Sequence, residues 1–137
     1  LIIDLPPGTG DVQLTLAQNA KLSGSIIIST PQKVALIDVR KGMYMFKKVN
    51  VPILGIVENM SYFICDSCNQ MHEIFSSGNV KKEAEKFKID FLGKLPINKN
   101  LRIQSDEGRP VCVDDSNNDI ANVFSSIAQA VHKKLTN

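Results

Sequence analysis

Apolar positions along this chain follow two rhythms that take turns. Short apolar-rich runs lie at residues 1–3, 25–29, 53–57 and 90–95, each bounded by turn-forming residues. Runs this short and this β-branched read as buried parallel strands. Between them the spacing stretches to three and four. Val12 to Lys21 reads as a short helix ending near Ser23-Gly24, and Leu36, Val39, Met43 and Phe46 mark a longer one that runs to Val49. Val80, Ala84 and Phe87 share one face of a third helix, and Lys99 to Ser105 forms a fourth. From about Ser116 onward, Ile120, Val123, Phe124, Ile127, Val131 and Leu135 sustain an amphipathic helix. Strands alternating with helices give βαβ units with right-handed crossovers. The fold class is therefore α/β, a mostly parallel sheet flanked by helices and incomplete at the amino end, with residues 1–137 forming one domain or most of one.

The punctuation sharpens this outline. Pro6, Pro7, Gly8 and Gly10 stop both helix and ladder after the first run, and Asp11 then stands as N-cap of the helix from Val12. Thr30-Pro31 reads as cap and first helical position, Val51-Pro52 ends the same helix, and Pro96 closes the fourth strand. Residues 58–78 show no clean period.

Composition narrows the class without naming a function. At 137 residues, 43% hydrophobic and 22% charged, the chain matches an ordinary soluble domain with a real core. A formal net charge of +2 gives no reason to expect nucleic acid or a membrane surface. No apolar run approaches the roughly 20 residues that span a bilayer, and no signal peptide is visible. The three cysteines make no disulfide framework. They suit a reducing compartment, the cytoplasm or a mitochondrial matrix, and a metal, cluster or redox role. Because Leu1 already lies inside an apolar run, the expectation is a fragment, or the second half, of a larger protein.

Candidate chemistry sits at two places. Asp4 follows the first apolar run, where ligands of open α/β sheets bind beyond the strand ends. A carboxylate there can hold Mg2+ beside a nucleotide phosphate, with glycine backbone close by; a merely solvated Asp4 before a Pro-Gly turn is the equal alternative. Asn59 follows the third strand, where it either reaches a base or helps the turn. The second place is Cys65-Asp66-Ser67-Cys68. Two thiolates at this spacing can share one metal or cluster but cannot fill four coordination positions. His72 is a possible third ligand or a plain loop histidine, and a redox dithiol or two incidental loop cysteines remain the other readings. Cys112, between Val111 and Val113, reads as a small buried hydrophobe. His132 falls on the exposed side of the last helix, and Lys47-Lys48 and Lys133-Lys134 suit helix C-termini.

With these pieces placed, the chain resembles the carboxyl-terminal part of an Mrp/NBP-type (ApbC- and NUBPL-like) P-loop ATPase, the iron–sulfur cluster carriers of the MinD/ParA class. The segments that carry the resemblance are Ile2-Ile3-Asp4-Leu5-Pro6-Pro7-Gly8-Thr9-Gly10-Asp11-Val12-Gln13-Leu14, Thr30-Pro31-Gln32-Lys33-Val34-Ala35, and Asp38 to Gly42 leading through Phe46 to Val51-Pro52-Ile53-Leu54-Gly55-Ile56-Val57-Glu58-Asn59-Met60-Ser61-Tyr62. The Cys pair and Ser105-Asp106-Glu107-Gly108-Arg109-Pro110 follow in the family's order. The resemblance implies that Asp4 is the catalytic Walker B carboxylate, that Pro7, Gly8, Thr9, Gly10 and Asp11 form the switch facing the γ-phosphate, and that Asn59 contacts adenine. It implies that Cys65 and Cys68 bind a [4Fe–4S] cluster shared across a homodimer, that ATP and Mg2+ serve the complete protein, and that apo iron–sulfur proteins are the recipients. Asp66-Ser67 and Asn69 stand where the family tends to have Pro-His and Gly, and Ser76-Ser77-Gly78-Asn79 replaces a glycine-richer turn.

The family's glycine-rich Walker A loop lies upstream of the first matching segment, and no Gly-Lys-Ser or Gly-Lys-Thr occurs in this sequence. The implied function is ATP-dependent carriage and transfer of iron–sulfur clusters, with this chain lacking ATP hydrolysis of its own. The alternatives are a non-enzymatic zinc- or cluster-binding module and an inert fragment from a split gene.

Overall fold

The computed structural model describes residues 1–6, 8, 10–114 and 119–136. The elements run α1 (Asp11–Asn19), β1 (Ser25–Ser29), α2 (Lys33–Lys48), β2 (Ile53–Glu58), β3 (Phe63–Ile64), β4 (Met71–His72), α3 (Asn79–Phe87), β5 (Phe91–Lys94), α4 (Lys99–Asp106), α5 (Val111–Asp114) and α6 (Asp119–Thr136). β1, β2 and β5 form a parallel sheet with β2 in the middle, and β3 and β4 pair antiparallel beside it. Among the described residues no helix is long and apolar enough to cross a membrane. Ser116, where the sequence places the start of the last helix, lies outside the described residues.

Register explains which residues make the core. Ile27 pairs with Ile56 and Ile56 with Phe91, so the three share one sheet face. Leu36, Met43 and Phe46 of α2 and Val80 and Ala84 of α3 cover that face, joined by Ala17 of α1. These are the positions that helical spacing selects from the sequence. On the opposite face Val57 pairs with Gly93, and α6 lies close against that glycine. A Cβ at Gly93 would come within 3.1 Å of Ile127 Cγ1, so the missing side chain is what lets α6 approach.

That cover stops short of β1. Ile28 is registered with Val57, yet Val57 is 4% exposed and Ile28 is 64% exposed. Ile26 is exposed as well, along with Leu1, Ile2 and Val12. Parallel sheets normally have both faces covered, and apolar patches of this kind tend to be occupied. The 137-residue chain on its own should therefore bind a hydrophobic dye and self-associate, and Ile26→Thr with Ile28→Thr should reduce both while keeping strand propensity. A sharp, concentration-independent melt without dye binding would contradict this.

Several local expectations need correction. Leu1–Ile3 form no strand: no described segment offers them a ladder, and they are exposed. Asp4 accordingly ends no strand here. Asp11 is the first residue of α1 rather than its cap; Gly10 holds the cap position and Asp11 lends its charge to the first turn. Thr30 and Pro31 also stand outside α2, whose N-cap is Gln32. Thr30 Oγ1 donates to Gln32 Oε1 at 2.8 Å, and Pro31 is fully buried. Cys112 is exposed. It sits on α5, a single turn in which Val111 is buried and Val113 is exposed, so standing between two valines does not bury it.

One tie between α2 and α3 escapes sequence reading. Arg40 donates to Glu83 through Nε (2.8 Å to Oε2) and Nη2 (2.6 Å to Oε1), and Lys86 Nζ adds a contact of 3.3 Å. The Glu83 side chain is 5% exposed and that of Arg40 is 42% exposed. Arg40 holds the Glu83 carboxyl below its ordinary value of 4.5, against the opposing effect of burial. At neutral pH, Arg40→Ala should destabilise more than Glu83→Ala, because it leaves a buried carboxylate with only the longer Lys86 contact while the reverse change leaves the guanidinium to water. Glu83→Ala should cost about 2 kcal/mol. With the folded pKa depressed, this contribution is present above the unfolded value and disappears as pH falls through the folded one. Melts of wild type and Glu83→Ala should therefore converge in acid below pH 4.5. A gap unchanged from neutral pH to pH ~3 would show that the charge contributes nothing.

Candidate functional site

The carboxyl end of β2 is where the candidate residues gather. Asn59 N donates to Ser29 O at 2.7 Å, tying the ends of β1 and β2 together at the edge where open α/β sheets bind ligands. Asn59 Oδ1 accepts from Met60 N at 2.9 Å, so the oxygen serves the turn and the amide Nδ2 is the group that can reach a base. Both sequence readings of Asn59 thus draw on different atoms of one side chain. Met60 takes φ 54, in the left-handed region, and the chain turns back. Ser61 N donates to Leu95 O at 2.9 Å, Ile97 N donates to Tyr62 O at 2.7 Å, and Phe63 bridges Ile97 in parallel. The segment from Glu58 to Phe63 is therefore stitched to the main sheet before it delivers the cysteines.

Cys65 and Cys68 lie on the turn between β3 and β4, where Phe63 pairs with His72 and Ile64 with Met71. Cys65 N donates to Gln70 O at 3.0 Å, and Asn69 N donates to Cys65 O at 2.8 Å. Asn69 takes φ 56, a conformation that Gly favours and Asn tolerates, which accommodates the departure from the family pattern. The Ser67 N–H, then the Cys68 N–H and the Cys68 thiol, hold the Cys65 thiol below its ordinary value; burial and Asp66 push the other way. Cys65 is half-buried and Cys68 exposed, so both thiols are reachable from solvent. Among the described residues no three His, Cys, Asp or Glu side chains converge to hold a metal. His72, exposed on β4, does not join the pair as a third ligand.

The first segment is only partly organised around its candidates. Leu5 packs against the core, and Gln13 Nε2 donates to Pro6 O at 2.7 Å, so α1 anchors the backbone just beyond Asp4. Asp4 itself is exposed. Gly8 takes φ 97, a conformation side chains disfavour, and a Cβ there would meet nothing within 4 Å. Gly10 is exposed as well, so this stretch offers open backbone of the sort that can approach a phosphate. Pro7 and Thr9 lie outside the described residues.

Two polar residues at the site were not singled out by the sequence. Glu58 is fully buried, and Ser61 Oγ donates to its Oε1 at 2.5 Å. Alternation along the buried run Ile53–Val57 places residue 58 on the face of Ile56, and a carboxyl there was the available signal.

Comparison with known proteins now has a geometry to attach to. The family model described as NUBPL iron-transfer P-loop NTPase, of the ParA group, matches residues 1–132. The chain is 49% identical over 135 residues to an iron-sulfur cluster transfer protein NUBPL of Dictyostelium discoideum, covering 98% of this chain and 42% of that protein. It is 47% identical over 131 residues to an iron-sulfur cluster carrier protein of Aquifex aeolicus, covering 96% of this chain and 36% of that one. Among solved structures, the nucleotide-binding protein of Archaeoglobus fulgidus in complex with ADP is similar at TM-score 0.71 and 42% identity, over 84% of this chain and 46% of that chain. This chain thus spans less than half the length of these relatives. It belongs to the NUBPL iron-transfer family of P-loop NTPases.

Proposed function

We propose that this chain is the cluster-carrying part of an iron–sulfur cluster carrier, a portion of one P-loop domain whose complete protein binds and hydrolyses ATP. The observation that carries the reading is the position of Cys65 and Cys68, paired on a surface turn and rooted directly in the ligand-binding end of the parallel sheet. A [4Fe–4S] cluster normally takes four thiolates, and one chain supplies two. A second copy would supply the others, which makes the homodimer part of the site and its separation a route to release. The cluster is cargo, delivered to apo iron–sulfur proteins. The cytoplasm, or the mitochondrial matrix, supplies the reducing setting the thiols need.

Family membership and the local backbone support the reading of the nucleotide end. Asp4 would hold Mg2+, the open glycine backbone at Gly8 and Gly10, with Pro7, Thr9 and Asp11, would face the γ-phosphate, and Asn59 Nδ2 would meet the adenine. ATP supplies the free energy that switches between holding and releasing the cluster. The full-length protein, loaded anaerobically with iron and sulfide, should activate an apo [4Fe–4S] enzyme faster than free iron and sulfide do, even with a chelator present. Activation no faster than from free ions would defeat the carrier reading.

A further inference from the structure

Glu58 is a buried carboxyl that the cluster and nucleotide roles leave unused. It ends the central strand, 0% exposed, with its backbone O accepting from Leu95 N at 2.8 Å. Its Oε1 takes the short bond from Ser61 Oγ, and its Oε2 is buried with no partner among the described residues. An unsatisfied buried acceptor costs stability, and replacing such polar groups with apolar ones of similar size is often neutral or stabilising. Packing alone therefore does not call for a carboxyl here. What the carboxyl does is bridge the turn from Glu58 to Ser61, adding a side-chain tie to the backbone bonds Asn59 N makes to Ser29 O and Ser61 N makes to Leu95 O, just before the bond from Ile97 N to Tyr62 O and the Phe63 bridge to Ile97. Two residues beyond Phe63 the chain reaches Cys65.

We propose that Glu58 and Ser61 are positioning residues for the Cys65–Cys68 pair: the carboxyl, fixed in the central strand, sets the turn from which the thiol-bearing hairpin leaves the sheet. The proposal rests on the reading of these thiols as metal ligands. Partners hydrogen-bonded directly to metal ligands typically change affinity by ten- to a hundredfold when lost, and Glu58 and Ser61 act on the thiols through the backbone between them.

The test uses Co2+ on the reduced full-length protein, followed by thiolate-to-cobalt charge-transfer absorption, with thermal melting measured in parallel. Glu58→Met with Ser61→Ala removes both polar groups at similar volume. It should melt at or above the wild-type temperature while Co2+ affinity falls by about tenfold or more. Ser61→Thr, which keeps the hydroxyl, should hold cobalt like wild type, and Ser61→Ala should not. Should the double variant not fold, the gap between these two single variants decides. Wild-type cobalt affinity in the double variant, or in Ser61→Ala, would overturn the proposal, as would loss of affinity only in step with loss of stability. Cobalt failing to reach the thiols of the wild-type protein would instead overturn the ligand assignment beneath it.

Discussion

Alanine at either Cys65 or Cys68 should strip the cluster from the full-length protein on anaerobic reconstitution, and alanine at Cys112 should leave it in place. The expected loss is near complete because the Cys65–Cys68 turn offers two thiolates per chain, so a single replacement in a homodimer removes half of the four ligands that such a cluster takes. Weak side chains do not fill the gap: among the described residues no third His, Cys, Asp or Glu joins the pair. Fold stability should barely change, since Cys65 and Cys68 sit on a surface turn held by backbone bonds to Gln70 and Asn69. Cys112 is exposed too, but it belongs to α5, beyond β5 and α4 in the chain. Iron and acid-labile sulfide counts on the three variants check the outcome. A full cluster in Cys65→Ala would move the ligand set elsewhere.

Asp4→Ala should abolish ATP turnover in the full-length protein, by roughly a hundredfold or more, the scale of losing one group that acts on transition-state charge. Cluster binding should stay largely intact. The expectation rests on local attachment: Asp4 is exposed and precedes the anchored Leu5 and Pro6, whereas the cysteines follow β2 through their own stitched segment. Alanine at an exposed position removes no packing. Parallel loss of turnover and cluster would mark Asp4 as structural instead.

How much of this was legible beforehand depended on the range of the interaction. β1 was readable to the residue, since Ser-Ile-Ile-Ile-Ser is β-branched, bounded and buried by its neighbours on one side. The buried faces of α2 and α3 followed from spacing alone. Leu1–Ile3 carry an equally strong strand pattern and form none, because a strand exists only with a ladder partner and no described segment provides one. The β3–β4 hairpin was invisible, as its two-residue strands are shorter than any detectable period. Cys112 was read as buried because it stands between two valines, but in one helical turn only Val111 of the three is buried. The Arg40–Glu83 pair spans 43 positions, and nothing local announces it. The thiols and Asn59 could be named from sequence, but not the Glu58–Ser61 contact that ties them to the sheet.

The central claim is that the Cys65–Cys68 turn carries an iron–sulfur cluster shared between two copies of the protein. Native mass spectrometry of the full-length protein, reconstituted without oxygen, tests it most directly. The expected spectrum holds one four-iron, four-sulfide cluster per two chains, and removing the iron with a chelator returns most of that dimer to monomer. A single chain carrying the whole cluster, or a monomer holding one zinc ion at the two thiols, would contradict it.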